Sequence, residues 1–302
     1  MDKARITLEK HLMCILLCAL MLPVCAAVRA EQVCFGSVAA DPAAEYIDMG
    51  DEQIADWEAF YAFLRRLPRL LAVDLYATPI GRDRITALND AFPGVSFGMT
   101  MRIGDHLVRT DTTAFSTLHT SRSYPHGDDE LSLLRYCTDL YALDLGHNLL
   151  SDLSFLNELK ELRILIVSMN ELTDITPIGN LRHLEYLEMF ENRITDISCL
   201  RGLPFLTDLN LVGNRIESLE VLHGMQSLKR LWISRCRIGL PASEIRREAE
   251  ELRAALPGCL VDAASSGIGG GWREHPHYET VRRVFAAGVY EPFDDSPEEN
   301  RP

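Results

Sequence analysis

The chain has 302 residues, 47% of them apolar, and 44 acidic side chains against 30 Lys and Arg, for a net charge of −14. That apolar content builds a real core and excludes wholesale disorder, and the length allows one large domain or two ordinary ones. The acidic balance argues against a nucleic-acid partner, because a phosphate backbone is held by a basic face.

At the N-terminus, Lys3, Arg5 and Lys10 precede an uncharged run from Leu12 to Val28, and Ala26, Ala27 and Ala30 offer cleavage sites. This is the layout of a secretory signal peptide over 1–30, which directs the chain to the envelope or the medium. The run is short for a membrane span and carries Pro23, so an N-terminal anchor is the alternative. Without the leader, five cysteines remain: Cys34, Cys137, Cys199, Cys236 and Cys259. An odd, scattered set with no C-x-x-C pair reads as buried thiols rather than as a disulfide framework or a zinc site.

Over 31–103 a long unit repeats loosely. Tyr46-Ile47-Asp48-Met49 matches Ala72-Val73-Asp74-Leu75 at a step of 26, and Ile54 matches Ile80. Trp57, Phe60, Tyr61 and Leu64 lie between them at helical spacing. A second helix is expected through Ile85, Leu88 and Phe92, ending at Pro93-Gly94 before a strand at Val95-Ser96-Phe97. Residues 104–127 fit no register and are expected to be an irregular insertion or a distorted repeat.

Strict periodicity governs 128–262. At a step of 22, Leu140, Leu162, Leu184, Leu206 and Leu228 share a column. Three residues on stand Leu143, Leu165, Leu187, Leu209 and Leu231, and two further on Leu145, Val167, Met189, Leu211 and Ile233. Asn148, Asn170, Asn192, Asn214 and Cys236 follow, then Leu150, Leu172, Ile194, Ile216 and Ile238. Three further apolar columns, led by Leu153, Leu156 and Leu159, complete each unit, and Leu131, Leu134 and Cys137 occupy them in an earlier, partial unit. The alternation of Leu143 and Leu145 places both on one face of a short strand. One unit cannot bury its own leucines, so neighbours stack and share a continuous core. The Asn column both donates and accepts, and can satisfy the backbone of each turn leaving the strand, with Cys236 keeping a weak donor in the last copy. A 22-residue step leaves little room for a convex helix, so short 3₁₀ or extended turns are expected at the back.

Past the repeats, Ser243 is placed as the N-cap of a helix through Ile245, Ala249 and Leu252. Leu256-Pro257-Gly258-Cys259-Leu260-Val261 then matches the Phe92-to-Phe97 pattern, so 239–262 form a cap over the open end of the core. Residues 263–302 comprise a Ser/Gly-rich linker, a short segment that docks by Val281, Val284 and Phe285, and an acidic tail.

The run L-x-x-L-x-L-x-x-N-x-L, in five consecutive copies between Asp139 and Ile238, resembles the 22-residue bacterial class of leucine-rich repeat, as in the internalins. The resemblance implies an α/β solenoid: a leucine-rich repeat with a concave parallel β-sheet and helical convex elements in the N- and C-terminal flanks. It also implies a non-catalytic protein–protein interaction module, with no cofactor, whose concave sheet meets its partner. The class includes an intracellular regulatory subunit of a protein phosphatase, so the alternative is an intracellular subunit that scaffolds an enzyme.

The residues flanking the strand leucines point to the concave side. Asp144, Ile164, Ile166, Met169, Tyr186, Glu188, Phe190, Glu191, Asp208, Asn210, Arg230, Trp232 and Arg235 are the candidate contacts. Aromatic anchors within a largely acidic rim suit a protein partner carrying Lys or Arg around an apolar spot. The competing expectation is that the chain's own C-terminal segment covers Phe190 and Trp232. No P-loop, G-x-S-x-G or H-E-x-x-H motif is present. His275 and His277 lack further ligands at metal spacing, and His147 beside Asp144 lacks a nucleophile, so neither pattern points to a metal or catalytic site.

Overall fold

The computed structural model describes residues 32–118, 125–237, 239–264 and 271–293. The expected signal peptide over 1–30, residues 119–124 of the expected insertion, Ile238, the middle of the Ser/Gly-rich linker and the acidic tail lie outside them.

Strands β1 (Val33–Phe35) and β2 (Val38–Ala40) form an antiparallel hairpin. The flank continues through β3 (Tyr46–Asp48), α1 (Trp57–Arg65), β4 (Ala72–Ile80), α2 (Arg82–Ala91), β5 (Ser96–Ile103) and β6 (His106–Arg109). β3, β4 and β5 are parallel and β6 closes this sheet antiparallel to β5. Tyr46 pairs with Ala72 and Asp48 with Asp74, which is the 26-residue step in space. Asp56 caps α1 by accepting from the Ala59 amide at 3.0 Å, and Phe60, Tyr61, Phe63 and Leu64 bury its inner face.

Seven parallel strands build the main arch: β7 (Ala114–Ser116), β8 (Ala142–Asp144), β9 (Ile164–Ile166), β10 (Tyr186–Glu188), β11 (Asp208–Asn210), β12 (Arg230–Trp232) and β13 (Leu260–Asp262). Leu143, Leu165, Leu187, Leu209 and Leu231 stand opposite one another down the sheet, and all are fully buried. The two ends break the 22-residue step. Phe115 pairs with Leu143 and Val261 with Leu231. Residues 104–127 therefore hold a distorted repeat whose strand comes earlier than the fixed register demands, so its leucine column is filled by Phe115.

The back of each unit is a 3₁₀ turn: Ser154–Glu158, Thr176–Asn180, Ser198–Gly202 and Glu220–Gly224. Three of them start on an aspartate whose carboxylate accepts the amide two residues on, at 2.8 Å for Asp152, Asp174 and Asp196. The last unit ends in α3 (Ala242–Ala255), and α4 (Pro276–Ala287) follows the linker. The N-cap position of α3 is Pro241, whose ring fixes the extended backbone there; Ser243, expected as the cap, lies inside the helix. No helix of the described residues is long and apolar enough to cross a membrane.

The asparagine column is a hydrogen-bonded ladder. The Asn192 side-chain oxygen accepts the Leu172 amide at 3.1 Å, and its nitrogen donates to the carbonyls of Val167 (2.9 Å), Met189 (3.2 Å) and Phe190 (3.4 Å). Asn170 and Asn214 repeat the pattern, accepting from Leu150 and Ile194. At the end of the column Cys236 has no amide to offer, and its backbone carbonyl accepts the Ile216 amide at 2.8 Å instead. The residue before each ladder position is left-handed: His147, Met169, Glu191 and Arg235 have φ between 50° and 60°, and Gly213 has 69°. This conformation costs about 1–2 kcal/mol for a residue with a Cβ; the asparagine bonds to the two preceding carbonyls hold the turn in it.

One apolar core runs from Val33 to Val261 behind the sheets. Cys137 and Cys236 are buried in it, and burial pushes both thiols up to about 12, so they act as small apolar side chains.

The concave face and its cover

A second apolar cluster lies on the other side of the main sheet. Ala142, Ile164, Ile166, Tyr186, Phe190, Val212 and Trp232 supply it from the repeats, and Trp272, Val281 and Val284 from the C-terminal segment. The segment crosses the arch, and α4 sits against the β7 end. His275 caps α4, its ring nitrogen accepting the His277 amide at 3.2 Å, and left-handed Gly288 ends it. The helix extends to either side of the expected docking residues Val281, Val284 and Phe285. Val281 and Val284 are buried in the contact, while Phe285 packs at its edge.

Most side chains expected to meet an outside partner are thus beneath the chain's own C-terminal segment. Ile164, Tyr186, Glu188, Asp208 and Asn210 are 0% exposed, and Ile166, Phe190, Arg230 and Trp232 are also buried. Their expected accessibility is corrected for one physical reason. A face this apolar, with a tethered aromatic segment within reach, lowers its free energy by burying itself. The side chains that did not enter the sequence reading of this face are Trp272, His277, Tyr290 and Phe293. Their signal was present in an aromatic-rich segment after a Ser/Gly-rich stretch.

The contacts are specific. Trp272 packs on Tyr186 at 5.4 Å and edge-on to Trp232 at 5.2 Å. Its indole nitrogen donates to Glu188 Oε1 at 2.6 Å, and the Tyr186 hydroxyl donates to the same oxygen. Arg230 lies over the Trp272 ring at 4.3 Å and donates to the Trp272 carbonyl at 3.1 Å. His277 Nδ1 stands 2.9 Å from Asp208 Oδ2, and Arg230 Nε donates to Asp208 Oδ1. Further on, the Tyr290 hydroxyl donates to Glu185 at 2.8 Å, and the Arg163 guanidinium covers the Tyr290 ring.

Burial dominates the electrostatics. It holds the Glu188 carboxyl above the ordinary glutamate range, although the Tyr186 and Trp272 hydrogen bonds oppose it. Burial pushes Asp208 in the same direction, but the His277 hydrogen bond and the Arg230 charge together outweigh it and hold Asp208 below the usual range. Among the described residues no three His, Cys, Asp or Glu side chains converge as a metal set.

What stays open is a ridge and a groove. His147, Met169 and Arg235 are exposed along the left-handed turns. Glu191 bridges to Arg235 at 2.7 Å across Gly213, where a Cβ would stand 2.7 Å from the Glu191 carboxylate. Between α4 and the β7–β9 end of the sheet a groove of about 530 Å³ is lined by Leu118, Asp144, Ile166, Tyr278, Arg282 and Phe285, among others.

A leucine rich repeat family model matches residues 160–216. Among solved structures, an internalin (InlF) of Listeria monocytogenes is 21% identical over 67% of this chain, with a TM-score of 0.39; the chain spans 56% of that protein's length. A leucine-rich-repeat protein of Leptospira interrogans is 20% identical over 66% of this chain and 50% of its own, with a TM-score of 0.43. The repeat ectodomain of the Arabidopsis receptor kinase HAESA, in complex with an IDA peptide hormone, is 18% identical over 61% of this chain and 31% of its own, with a TM-score of 0.32. No curated protein matches the chain.

Proposed function

Starting from a leucine-rich repeat solenoid built on residues 160–216 and their neighbours, we propose that this protein is an exported, non-catalytic protein-interaction module that meets its partner on the concave side. The reading rests on the groove beside α4. Its floor carries Ile166 and Asp144, its walls Tyr278 and Phe285, and exposed Leu118 stands at its rim. Met169, Glu191 and Arg235 extend this surface along the ridge. An apolar floor edged by both carboxylates (Asp144, Glu279) and guanidinium groups (Arg282, Arg283) suits a partner with an apolar side chain flanked by polar or charged groups of either sign.

The test is photo-crosslinking in the native host. A crosslinker at Met169 or Leu118 captures one partner species reproducibly, while one at Asn157, on the convex back, does not. Equal capture from both sides would overturn the assignment of the concave side. Export is checked separately by N-terminal sequencing of the mature protein, with processing expected near residue 30.

A further inference from the structure

Resting on that reading of the concave side, we propose that the segment from Trp272 to Phe293 is a ligand held in cis. The buried strand residues form a peptide-recognition site, and an outside partner with the same chemistry takes the segment's place.

Three observations carry this. First, the solenoid core lies wholly behind the sheet and includes no residue of the segment, so the repeats do not depend on it to bury their leucines. Second, the segment's chemistry is complementary to the face one group at a time. An indole N–H meets the Glu188 carboxylate, an imidazole five residues on meets Asp208, and an amphipathic helix lays Val281 and Val284 on the apolar end of the sheet. Arg273, Arg282 and Arg283 are balanced within the segment by Glu274, Glu279 and Glu291, so the match to the face lies in these individual pairs and not in net charge. This is helix-in-groove recognition with an aromatic anchor ahead of the helix. Third, the fit is incomplete. Glu188 Oε2, Asn210 Nδ2 and Arg230 Nη2 are buried with no hydrogen-bond partner among the described residues. Each disfavours the closed state, because a buried polar group left unpaired has lost its water without replacement. A partner segment that pairs them binds the same face more strongly. The cis segment holds its place by being part of the same chain: covalent connection through the Ser/Gly-rich sequence from Ala264 to Gly271 gives it a high local concentration that an outside partner must outcompete.

The partner is therefore a peptide segment with a Trp or Tyr donor, a His, Lys or Arg about five residues later, and an amphipathic helical stretch after it. The probe is a fluorescein-labelled synthetic peptide of residues 271–293, titrated by anisotropy onto the full chain. The Trp272→Ala/His277→Ala full-length variant is expected to bind it at least 10-fold more tightly than the wild type, since its own segment competes poorly. A peptide carrying the same two substitutions is expected not to bind. Equal affinities for the two proteins, or for the two peptides, overturn the proposal.

A second measurement on the unmodified protein keeps the test independent of the variant's folding. Amides of α4 are expected to exchange with deuterium at least 10-fold faster than those of β9 to β11. Exchange of both at one common rate means that the segment opens only when the solenoid unfolds, and it overturns the proposal. If the peptide binds as expected while crosslinkers at Met169 and Leu118 capture nothing, the cis ligand stands and the outward-facing module falls. The converse result removes the cis ligand alone.

Discussion

Replacing Asn192 by alanine isolates the energetic role of the ladder. The substitution removes one acceptor and one donor from the buried turn, but the losses are unequal. The Val167 carbonyl still accepts from Asn170 at 3.2 Å, Met189 from Asn214 at 2.9 Å, and Phe190 from the Met169 amide at 2.8 Å. Only the Leu172 amide is left without a partner, since Asn192 Oδ1 is its acceptor. One buried, unpaired N–H costs about 1–3 kcal/mol. The expected loss is thus about 2 kcal/mol in urea unfolding, together with faster exchange of the Leu172 amide. Asn192→Asp keeps the acceptor but turns a buried carboxylate toward three carbonyls, so it is expected to be worse than alanine at pH 7. Asn157→Ala, which removes an exposed side-chain pair with Asn180, serves as the control and is expected to cost under about 0.5 kcal/mol. A loss at Asn192 no larger than at Asn157, or an aspartate variant as stable as wild type, would refute the ladder argument.

Leu187→Ala, at a fully buried position in the middle of the arch, is expected to cost about 2–5 kcal/mol by the same urea titration. Trp232→Ala is no surface change, because the ring is buried against Trp272; it is expected to cost about 3–5 kcal/mol by urea titration, with the first loss of amide protection in α4. Glu188 has a folded-state pKa above its unfolded value, so its burial penalty is absent at low pH and grows as pH rises through the folded value. Glu188→Gln keeps an oxygen for Trp272 and Tyr186 and is expected to gain stability relative to wild type as pH rises above the unfolded value of about 4.3. Asp208 has the opposite sign. Its contribution is complete above the unfolded value of about 3.9 and is lost as pH falls through the lower folded value, so wild type is expected to lose stability more steeply than Asp208→Asn below about pH 4.

The sequence was most legible where one rule repeats. The 22-residue leucine columns, the asparagine ladder and the 3₁₀ backs depend on local spacing and on a neighbour built the same way, so five copies specify the arch. The reading lost accuracy where the step changes. Phe115 occupies the leucine column before the fixed register looks for it, and Pro241 replaces Ser243 at the helix start. Both departures were decided by how the end units close the core rather than by any periodic signal.

The sequence by itself determined that Tyr186, Glu188, Phe190, Asp208 and Trp232 share the concave face, since alternation along a strand fixes the side to which each points. It also showed an aromatic segment after a Gly-rich stretch. Only the tertiary structure decided that the segment folds back across the arch and buries that face. The reason is physical. Which surface a tethered segment covers depends on long-range pairing, here Trp272 with Glu188 and His277 with Asp208, and such pairing leaves no period in the chain.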